Sequence, residues 1–252
     1  MPEPVVALQM YTLRKEVAED LAGTLKRVAE IGYPAIQVGG LPQPPEAIRK
    51  VMDDLGLKAA GTHIDLARME NEFDKVVDEV KALGTEWVVV PYLPEERRRS
   101  GDDWRTLGKI LTRIGARLKG EGLRLAYHNH AFEFQTFDGK YGYDILFENV
   151  DLDVVQTEID TYWVQYGGAD PVAYLKGFAG HIQIVHFKDM GAGEDRPMVP
   201  VGEGILDWPA IIEVCKSGGT EWICIEQDEC APLEPFEAAR VSLENCRKWG
   251  LV

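Results

Sequence analysis

The segment LRLAYHNHAFE, residues 123–133, places His128, His130 and Glu133 directly after a run of apolar residues. The chain has only five histidines, and two of them stand here one residue apart. Imidazole and carboxylate groups bind metal ions and carry protons in catalysis. A buried strand that ends in such residues is typical of an active site at the edge of a sheet.

Ionisable and amide side chains follow other apolar runs in the same way. A lone carboxylate in such a place is more often a helix cap or a loop acceptor than a ligand, and Asp65 and Asp189 are expected to be of that kind. His181 begins its run and is expected to be an ordinary core residue. The other polar side chains that end the apolar runs are candidates for the site: Gln9, Tyr11, Gln37, His63, Glu158, Asp160, His186, Lys188, Glu226 and Asp228.

Eight short apolar runs alternate with longer amphipathic stretches along the whole chain, as expected for strands and helices. The runs cover residues 5–10, 35–38, 57–62, 87–92, 123–130, 153–159, 181–187 and 222–226. The helical patterns include residues 21–31, 73–83, 104–119 and 235–249. Glycines that could end helices in a left-handed conformation precede several runs: Gly32, Gly56, Gly84, Gly122 and Gly219.

Eight strand–helix units in 252 residues predict an α/β fold, a (β/α)8 TIM barrel that forms a single domain over residues 1–252. A doubly wound open sheet is the alternative, but no GxGxxG sequence follows the first run. In a barrel, the carboxyl ends of the strands converge around one axis. Catalytic residues are therefore expected at those ends.

Four residues on four successive strand ends would then point into one small volume: Glu133, Asp160, His186 and Glu226. Three carboxylates buried together repel one another unless a cation or protons neutralise them. Three oxygen ligands and one imidazole suit a divalent metal ion, namely Mn²⁺, Mg²⁺, Co²⁺ or Zn²⁺. The sequence thus predicts one metal centre.

The motifs YHNHAFEF, EIDTYWV, VHFKDM, VGEGILDW and CIEQD resemble the sugar phosphate isomerase/epimerase family of xylose isomerase-like TIM barrels. Its members include ketose 3-epimerases, hydroxypyruvate isomerase and inosose dehydratase. The resemblance implies one metal ion, with Mn²⁺ first among the candidates. It also implies metal ligands and substrate contacts: Glu133, Asp160, His186 and Glu226 for the metal, and His63, His128, His130, Trp163 and Lys188 for the substrate.

Two residues depart from the family pattern. Many members have a glutamate where this chain has Gln37, and the ketose 3-epimerases have an arginine where HFKDM supplies Lys188. The resemblance implies a metal-dependent isomerase or epimerase that acts on a keto sugar or cyclitol through an enediolate. Glu133 and Glu226 would exchange protons on opposite faces of the substrate. The alternative is a dehydratase or lyase on the same metal site, with His130 as the acid for the leaving group.

The aromatic residues Tyr162 and Trp163 follow a predicted ligand, and they are expected to form an apolar wall for a sugar ring. A core position for Trp163 is the competing interpretation. The loop VGEG lies where barrels often bind phosphate, but its own Glu203 favours a neutral polyol or glycoside as substrate.

Composition restricts the partners. A net charge of −15 and a pI near 4.8 oppose binding to nucleic acid or to anionic membranes. Hydrophobic residues make up 45% of the chain, and no apolar run is long enough to cross a membrane. Four cysteines without CxxC spacing and an N-terminus unlike a signal peptide favour a cytoplasmic protein with reduced thiols. We expect a small-molecule substrate and a homodimer or homotetramer.

Two further alternatives are less favoured by the sequence. An endonuclease of the abasic-site type holds several metal ions and would need more histidines and a basic DNA-binding face. A barrel that only binds sugars would not need the acid and base groups described above.

Overall fold

The computed structural model describes residues 3–252, so the first two residues of the predicted domain lie outside the described part. Eight parallel strands close into a barrel in which each strand pairs with the next one along the chain and the last pairs with the first. The prediction of a TIM barrel is confirmed. The strands are β1 (Val5–Gln9), β2 (Ala35–Gly39), β3 (Lys58–His63), β4 (Trp87–Val90), β5 (Arg124–His128), β6 (Val155–Asp160), β7 (Ile184–Phe187) and β8 (Trp222–Ile225).

Helices surround the barrel, and their apolar faces pack on its outer surface. They are α1 (Arg14–Glu19), α2 (Leu21–Ile31), α3 (Pro45–Leu55), α4 (Leu66–Asn71), α5 (Phe73–Leu83), α6 (Gly101–Gly120), α7 (Gly142–Phe147), α8 (Thr161–Tyr166), α9 (Pro171–Gly177), α10 (Trp208–Gly218) and α11 (Pro235–Lys248). Short 3-10 helices cover Met10–Leu13, Glu95–Arg97 and Phe132–Phe134. Among residues 3–252, no helix is long and apolar enough to cross a membrane.

The predicted strands overlap all eight observed ones. Several observed strands end earlier than the apolar runs from which they were predicted. The first strand ends at Gln9 because Met10–Leu13 forms a 3-10 helix. The loops also contain two small antiparallel pairs that the sequence did not predict: Thr136–Phe137 with Lys140–Tyr141, and Asp189–Met190 with Met198–Val199.

Alternation along the strands separates an inner from an outer set of side chains. On β5, Leu125 and Tyr127 belong to the core between the barrel and the helices, whereas Ala126 faces the barrel interior. Alanines and Cys224, together with the larger Trp87, Val89 and Ile184, fill the lower interior. The next inward positions up the strands therefore carry the polar side chains that the closed barrel brings together.

Glycine ends helices as predicted at Gly32, Gly56, Gly84 and Gly219, each a left-handed C-cap. Gly122 also has a positive φ of 75°, but it lies one residue beyond the C-cap of α6. All five of these turns return the chain directly from a helix to the next strand, which keeps the loops on that side of the barrel short.

Close packing on α6 provides a prediction for stability. A Cβ added at Gly115 would lie 2.3 Å from the backbone oxygen of Val154, whereas one added at Gly120 on the same helix meets nothing within 4 Å. Gly115→Ala should lower the free energy of unfolding by about 1–3 kcal/mol, because a backbone cannot yield as a side chain can. Gly120→Ala is the control and should be neutral or stabilising. Urea unfolding of both variants checks this, and equal stabilities would contradict it.

Candidate metal centre

Four side chains bring one potential ligand atom each to the carboxyl ends of β5 to β8. They are His128, Asp160, His186 and Glu226, and all four ligand atoms lie within 4.8 Å of one another. The Nε2 atom of His128 lies 3.9 Å from Oδ2 of Asp160, and Nδ1 of His186 lies 3.0 Å from Oε2 of Glu226. All four residues are buried.

The register of the barrel explains why these residues meet. Asp160 pairs with His186 across β6 and β7, and His128 pairs with Glu158 across β5 and β6. Because residues two apart on a strand share a face, Glu158 lies on the same face as Asp160, one step deeper in the barrel. The closed sheet thus stacks two polar layers below the open end.

Glu158 forms the centre of the deeper layer. Its Oε1 atom lies 2.8 Å from Nε2 of His63, 3.1 Å from Nδ1 of His128 and 3.0 Å from Nε2 of His186. A second group of ligand-type atoms, from His63, His128, Glu158 and His186, is therefore equally compact. It presents the opposite nitrogens of His128 and His186, so Glu158 can hold both imidazoles while their other nitrogens face Asp160 and Glu226.

Two buried glutamines extend this layer. The side-chain amide of Gln9 donates to Gln37 Oε1 at 2.7 Å, and that of Gln37 donates to Glu158 Oε2 at 2.5 Å. The Nε2 atom of His186 lies 2.6 Å from Gln37 Oε1. Burial acts to lower the pKa of His186, but Glu158 and Glu226 raise it well above its ordinary value, so Nδ1 would have to give up its proton to bind a metal ion.

Glu133, which the sequence predicts as a metal ligand, lies outside the group of clustered ligand atoms. Its carboxylate accepts hydrogen bonds from the hydroxyl of Tyr127 and the backbone N–H of His130, both at 2.8 Å. Tyr127 faces the helices rather than the barrel axis, and the 3-10 helix Phe132–Phe134 turns Glu133 to the same side. Burial raises the pKa of Glu133 to about 8, so the group is largely protonated at neutral pH.

Lys188 is buried between three carboxylates, with only 1% of its surface exposed. Its Nζ atom lies 2.9 Å from Glu226, 3.0 Å from Asp228 and 3.2 Å from Asp160. Burial acts to lower the pKa of Lys188, but the three carboxylates together raise it well above its usual value. The ammonium group is therefore charged and lies beside the ligand cluster, as its predicted role in binding a substrate oxygen requires.

The electrostatics of the ligands follow from the same contacts. Burial raises the pKa of Asp160 to about 6 and lowers that of His128 to about 4. Burial opposes ionisation of Glu158 as well, yet the imidazoles of His186 and His63 hold the pKa of that carboxyl well below its ordinary value. At neutral pH the cluster therefore offers ionised oxygens and a neutral His128, the forms that bind metals.

The donor set fits a divalent metal ion. Oδ2 of Asp160 is buried and accepts no hydrogen bond from the described residues, although the ammonium of Lys188 approaches it. Ligands bound at about 2.0–2.2 Å are separated by roughly 3–4.4 Å, which agrees with the compact cluster. Two imidazoles and two carboxylates suit Zn²⁺, Mn²⁺ or Co²⁺ better than metals that prefer thiolate or thioether ligands.

A pocket of about 380 Å³ opens above these ligands, and His63, His128, His130, Lys188 and Glu226 are among the residues that line it. It thus brings together four of the five predicted substrate contacts, all except Trp163. The rim adds Tyr11, Arg14, Tyr92, Asp228 and Glu229.

The two residues of the predicted apolar wall lie in different surroundings. Tyr162 is buried, and its hydroxyl donates to the backbone oxygen of Arg196. Trp163 is only partly buried, with its ring 5.4 Å from that of His130 and 5.5 Å from Nζ of Lys188. Only Trp163 therefore lies beside the site, where it could contact a substrate bound near His130.

Asp189 confirms the expectation of a structural acceptor. It is buried and accepts hydrogen bonds from the backbone of Gly202 and Gly204 and from the indole of Trp208, which fixes the VGEG loop. His181 contacts Gln156 at the opposite end of β6 and takes no part in the site.

Comparison with known proteins identifies the family and the fold of the chain. The xylose isomerase-like TIM barrel family matches residues 25–249. The chain is 27% identical to an inosose dehydratase of Geobacillus kaustophilus, over 87% of this chain and 84% of the relative. A sugar phosphate isomerase/epimerase from Parabacteroides distasonis has the same fold, with a TM-score of 0.86 at 23% identity over 100% of this chain and 96% of that one.

A structure described as the IOLI protein with a bound zinc atom also shares the fold, with a TM-score of 0.76 at 17% identity over 97% of each chain. The two structural likenesses show the fold, and the family match covers most of the sequence. The chain belongs to the xylose isomerase-like TIM barrel family.

Proposed function

We propose that this protein is a metal-dependent lyase that removes a β-hydroxyl or β-alkoxyl group from a keto-polyol such as a keto-cyclitol. The observation that carries the proposal is His130, an imidazole that lines the pocket above the four ligands and is not needed to hold the metal. Relatives named inosose dehydratase, alike over most of the chain, support the same chemistry.

The geometry supports elimination better than epimerisation. Epimerisation by two bases needs a second acid/base group on the opposite face of the substrate, the role predicted for Glu133. Glu133 lies on the helix side of β5 and does not line the pocket. Oε2 of Glu226 contacts His186 and Lys188, and Glu226 belongs to the clustered metal ligands, so it is not a free base on one face of the substrate. The isomerase or epimerase interpretation therefore lacks its pair of opposed groups.

The metal would be held by His128, Asp160, His186 and Glu226, and it would stabilise the negative charge that develops on a carbonyl oxygen. Lys188 would bind a neighbouring substrate oxygen through its charged ammonium. Trp163 would contact a C–H face of the substrate ring, because it lies beside both His130 and Lys188.

His130 would move the proton. Burial, followed by the charges of His128 and Lys188, lowers its pKa to about 2, so the ring is neutral at pH 7 but a weak base, and a bound metal would have to acidify the α C–H bond for the proton to transfer. Its Nδ1 atom is buried and has no hydrogen-bond partner among the described residues. The neutral ring would take the proton from the α-carbon as the C=C bond forms. It would then pass that proton to the leaving oxygen as the C–O bond breaks, which releases water or an alcohol.

The experiment is product analysis with a keto-inositol in D₂O, with Mn²⁺, Zn²⁺, Co²⁺ and Mg²⁺ added in turn. Zn²⁺ is included because the IOLI structure holds it. We expect a product lighter by one water molecule and an unsaturated ketone that absorbs in the ultraviolet. A product that has lost no water and carries deuterium at the α-carbon would support the epimerase alternative and contradict the lyase.

His130→Phe is expected to reduce turnover by about 10²–10⁴-fold, the usual contribution of a general acid or base. The substitution keeps an aromatic ring of similar size against Phe132 and Trp163. Metal binding should remain, since His130 is not among the clustered ligands. His181→Phe at the other end of the barrel is the control. Turnover within a few-fold of wild type in His130→Phe would assign the proton transfer to another group.

A further inference from the structure

Of the three carboxylates that surround Lys188, only that of Asp228 lies outside the ligand cluster. Asp228 follows β8 by three residues, and its side chain is 20% exposed where it lines the pocket above the ligands. The proposed function gives Lys188 a substrate oxygen to bind but leaves Asp228 without a role. Asp228 is therefore available to act on Lys188 rather than on a metal ion.

The Lys188 ammonium contacts the same oxygen atoms that would bind the metal. Its Nζ atom lies 3.2 Å from Oδ2 of Asp160 and 2.9 Å from Oε2 of Glu226. A divalent cation bound to these oxygens would repel the ammonium and offset the negative charge that attracts it. The third contact is a hydrogen bond of 3.0 Å that Nζ donates to Oδ2 of Asp228, and it involves no ligand atom. It is the contact that a metal ion would leave intact.

A lysine as deeply buried as Lys188 needs a carboxylate partner. Only 1% of its surface is exposed, so water cannot replace a partner that is lost. Its backbone is fixed by Thr161, whose hydroxyl contacts the Lys188 N–H at 3.2 Å and the Lys188 C=O at 2.9 Å. Without Asp228, the carboxylates left to the ammonium would be those of Asp160 and Glu226, where it would compete with a metal ion.

Hydrogen bonds on both sides of Asp228 fix the loop that carries it. Arg14 donates to the backbone oxygen of Asp228 at 3.0 Å. The backbone N–H of Gln227 donates to Oγ1 of Thr12 at 3.1 Å, and the side-chain amide of Gln227 donates to the backbone oxygen of Glu229 at 3.0 Å. The carboxylate of Asp228 is therefore held in place at the pocket, as a group that positions another must be.

We propose that Asp228 is a positioning residue, which holds the ammonium of Lys188 beside the metal centre and keeps it off the two carboxylates that bind the metal. This role rests on the proposed function, in which Lys188 binds a substrate oxygen. It has two consequences. A metal ion meets no competing cation on Asp160 and Glu226, and the ammonium stays directed at the pocket.

A double-mutant cycle on metal affinity tests this role without any substrate. Wild type, Asp228→Ala, Lys188→Met and the double variant are stripped of metal with a chelator and titrated with Mn²⁺ by calorimetry. Asp228→Ala should weaken Mn²⁺ binding at least about tenfold, because the ammonium then lies on the ligand oxygens. Lys188→Met should raise the affinity at least about tenfold more in the Asp228→Ala protein than in wild type.

Equal effects of Lys188→Met in the two backgrounds would show that Asp228 acts on the metal through its charge alone, and they would overturn the proposal. Thermal unfolding shows whether each variant is folded. Lys188→Gln, whose amide can still donate to the carboxylates, takes the place of Lys188→Met in the cycle if that variant does not fold. Asp195→Asn removes one charge from an exposed residue in the loop after β7, and as the control it should leave Mn²⁺ affinity unchanged.

Turnover of a keto-inositol separates this role from the lyase function. Asp228→Ala should raise KM by about 10–100-fold with a smaller change in kcat, and Asp228→Asn should raise it less, because an amide oxygen still accepts from the ammonium. Two inactive variants with unchanged KM would make Asp228 a proton carrier and overturn the positioning role. If the metal cycle shows the coupling but no keto-polyol is converted, the positioning role stands and the lyase function fails. If wild type dehydrates keto-inositol and the cycle shows no coupling, the reverse holds.

Discussion

His128→Ala is expected to abolish tight binding of Mn²⁺ or Zn²⁺ and to reduce turnover below about one thousandth of wild type. One imidazole of a four-ligand site is lost, and its neighbours Asp160 and Glu226 are left without that donor. Metal content after dialysis and metal-titrated calorimetry would measure the effect. Thermal unfolding of the variant would show that the barrel remains folded.

Glu133→Gln is the matched control for this prediction. Because burial raises the pKa of Glu133 to about 8, the carboxyl is already mostly uncharged at pH 7. An amide of the same shape can still accept from the N–H of His130 and bond to the hydroxyl of Tyr127. Metal affinity should therefore change little. Loss of the metal in Glu133→Gln with retention in His128→Ala would reverse the assignment.

Glu158→Gln has the second large expected effect, although Glu158 would not touch the metal. The change keeps the size of the side chain but removes the charge that one oxygen presents to His63, His128 and His186. We expect metal affinity to fall by about 10–100-fold, as is usual when the carboxylate behind ligand imidazoles is removed. The loss should appear in direct metal titration as well as in turnover.

Glu221→Gln is the control for Glu158→Gln. Glu221 lies at the opposite end of the barrel, where it pairs with Arg124 and accepts from the indole of Trp87. The Glu221→Gln change should lower the free energy of unfolding slightly without changing metal affinity. Equal affinities for metal in wild type and Glu158→Gln would show that the deeper layer only fills the barrel.

Much of the fold could be predicted from the sequence, because the alternation of apolar runs and amphipathic stretches is strong. The strand ends also placed Asp160, His186 and Glu226 in one volume, as the closed barrel shows. Glu133, predicted to join them, lies outside that cluster in the structure. Its position five residues beyond β5 allowed either side of the strand, and the 3-10 helix that turns it outward has no clear sequence signal.

The role of Glu158 did have a signal in the sequence. Glu158 and Asp160 are two residues apart on a strand and so must share a face, which the sequence E-I-D shows directly. His128 could have been recognised in the same way, as the last residue of β5 on the inward face that holds Ala126. The cavity of about 550 Å³ over the loops after β2 and β3 could not be predicted, because it depends on how those loops pack.

The ligand set is tested most directly by anomalous X-ray scattering from crystals grown with Mn²⁺, measured at wavelengths on both sides of the metal edge. The structure predicts a single peak at about 2.1 Å from Nε2 of His128, Oδ2 of Asp160, Nδ1 of His186 and Oε2 of Glu226. A peak bound by Glu133, or one centred instead between His63 and Glu158, would contradict the metal centre described above.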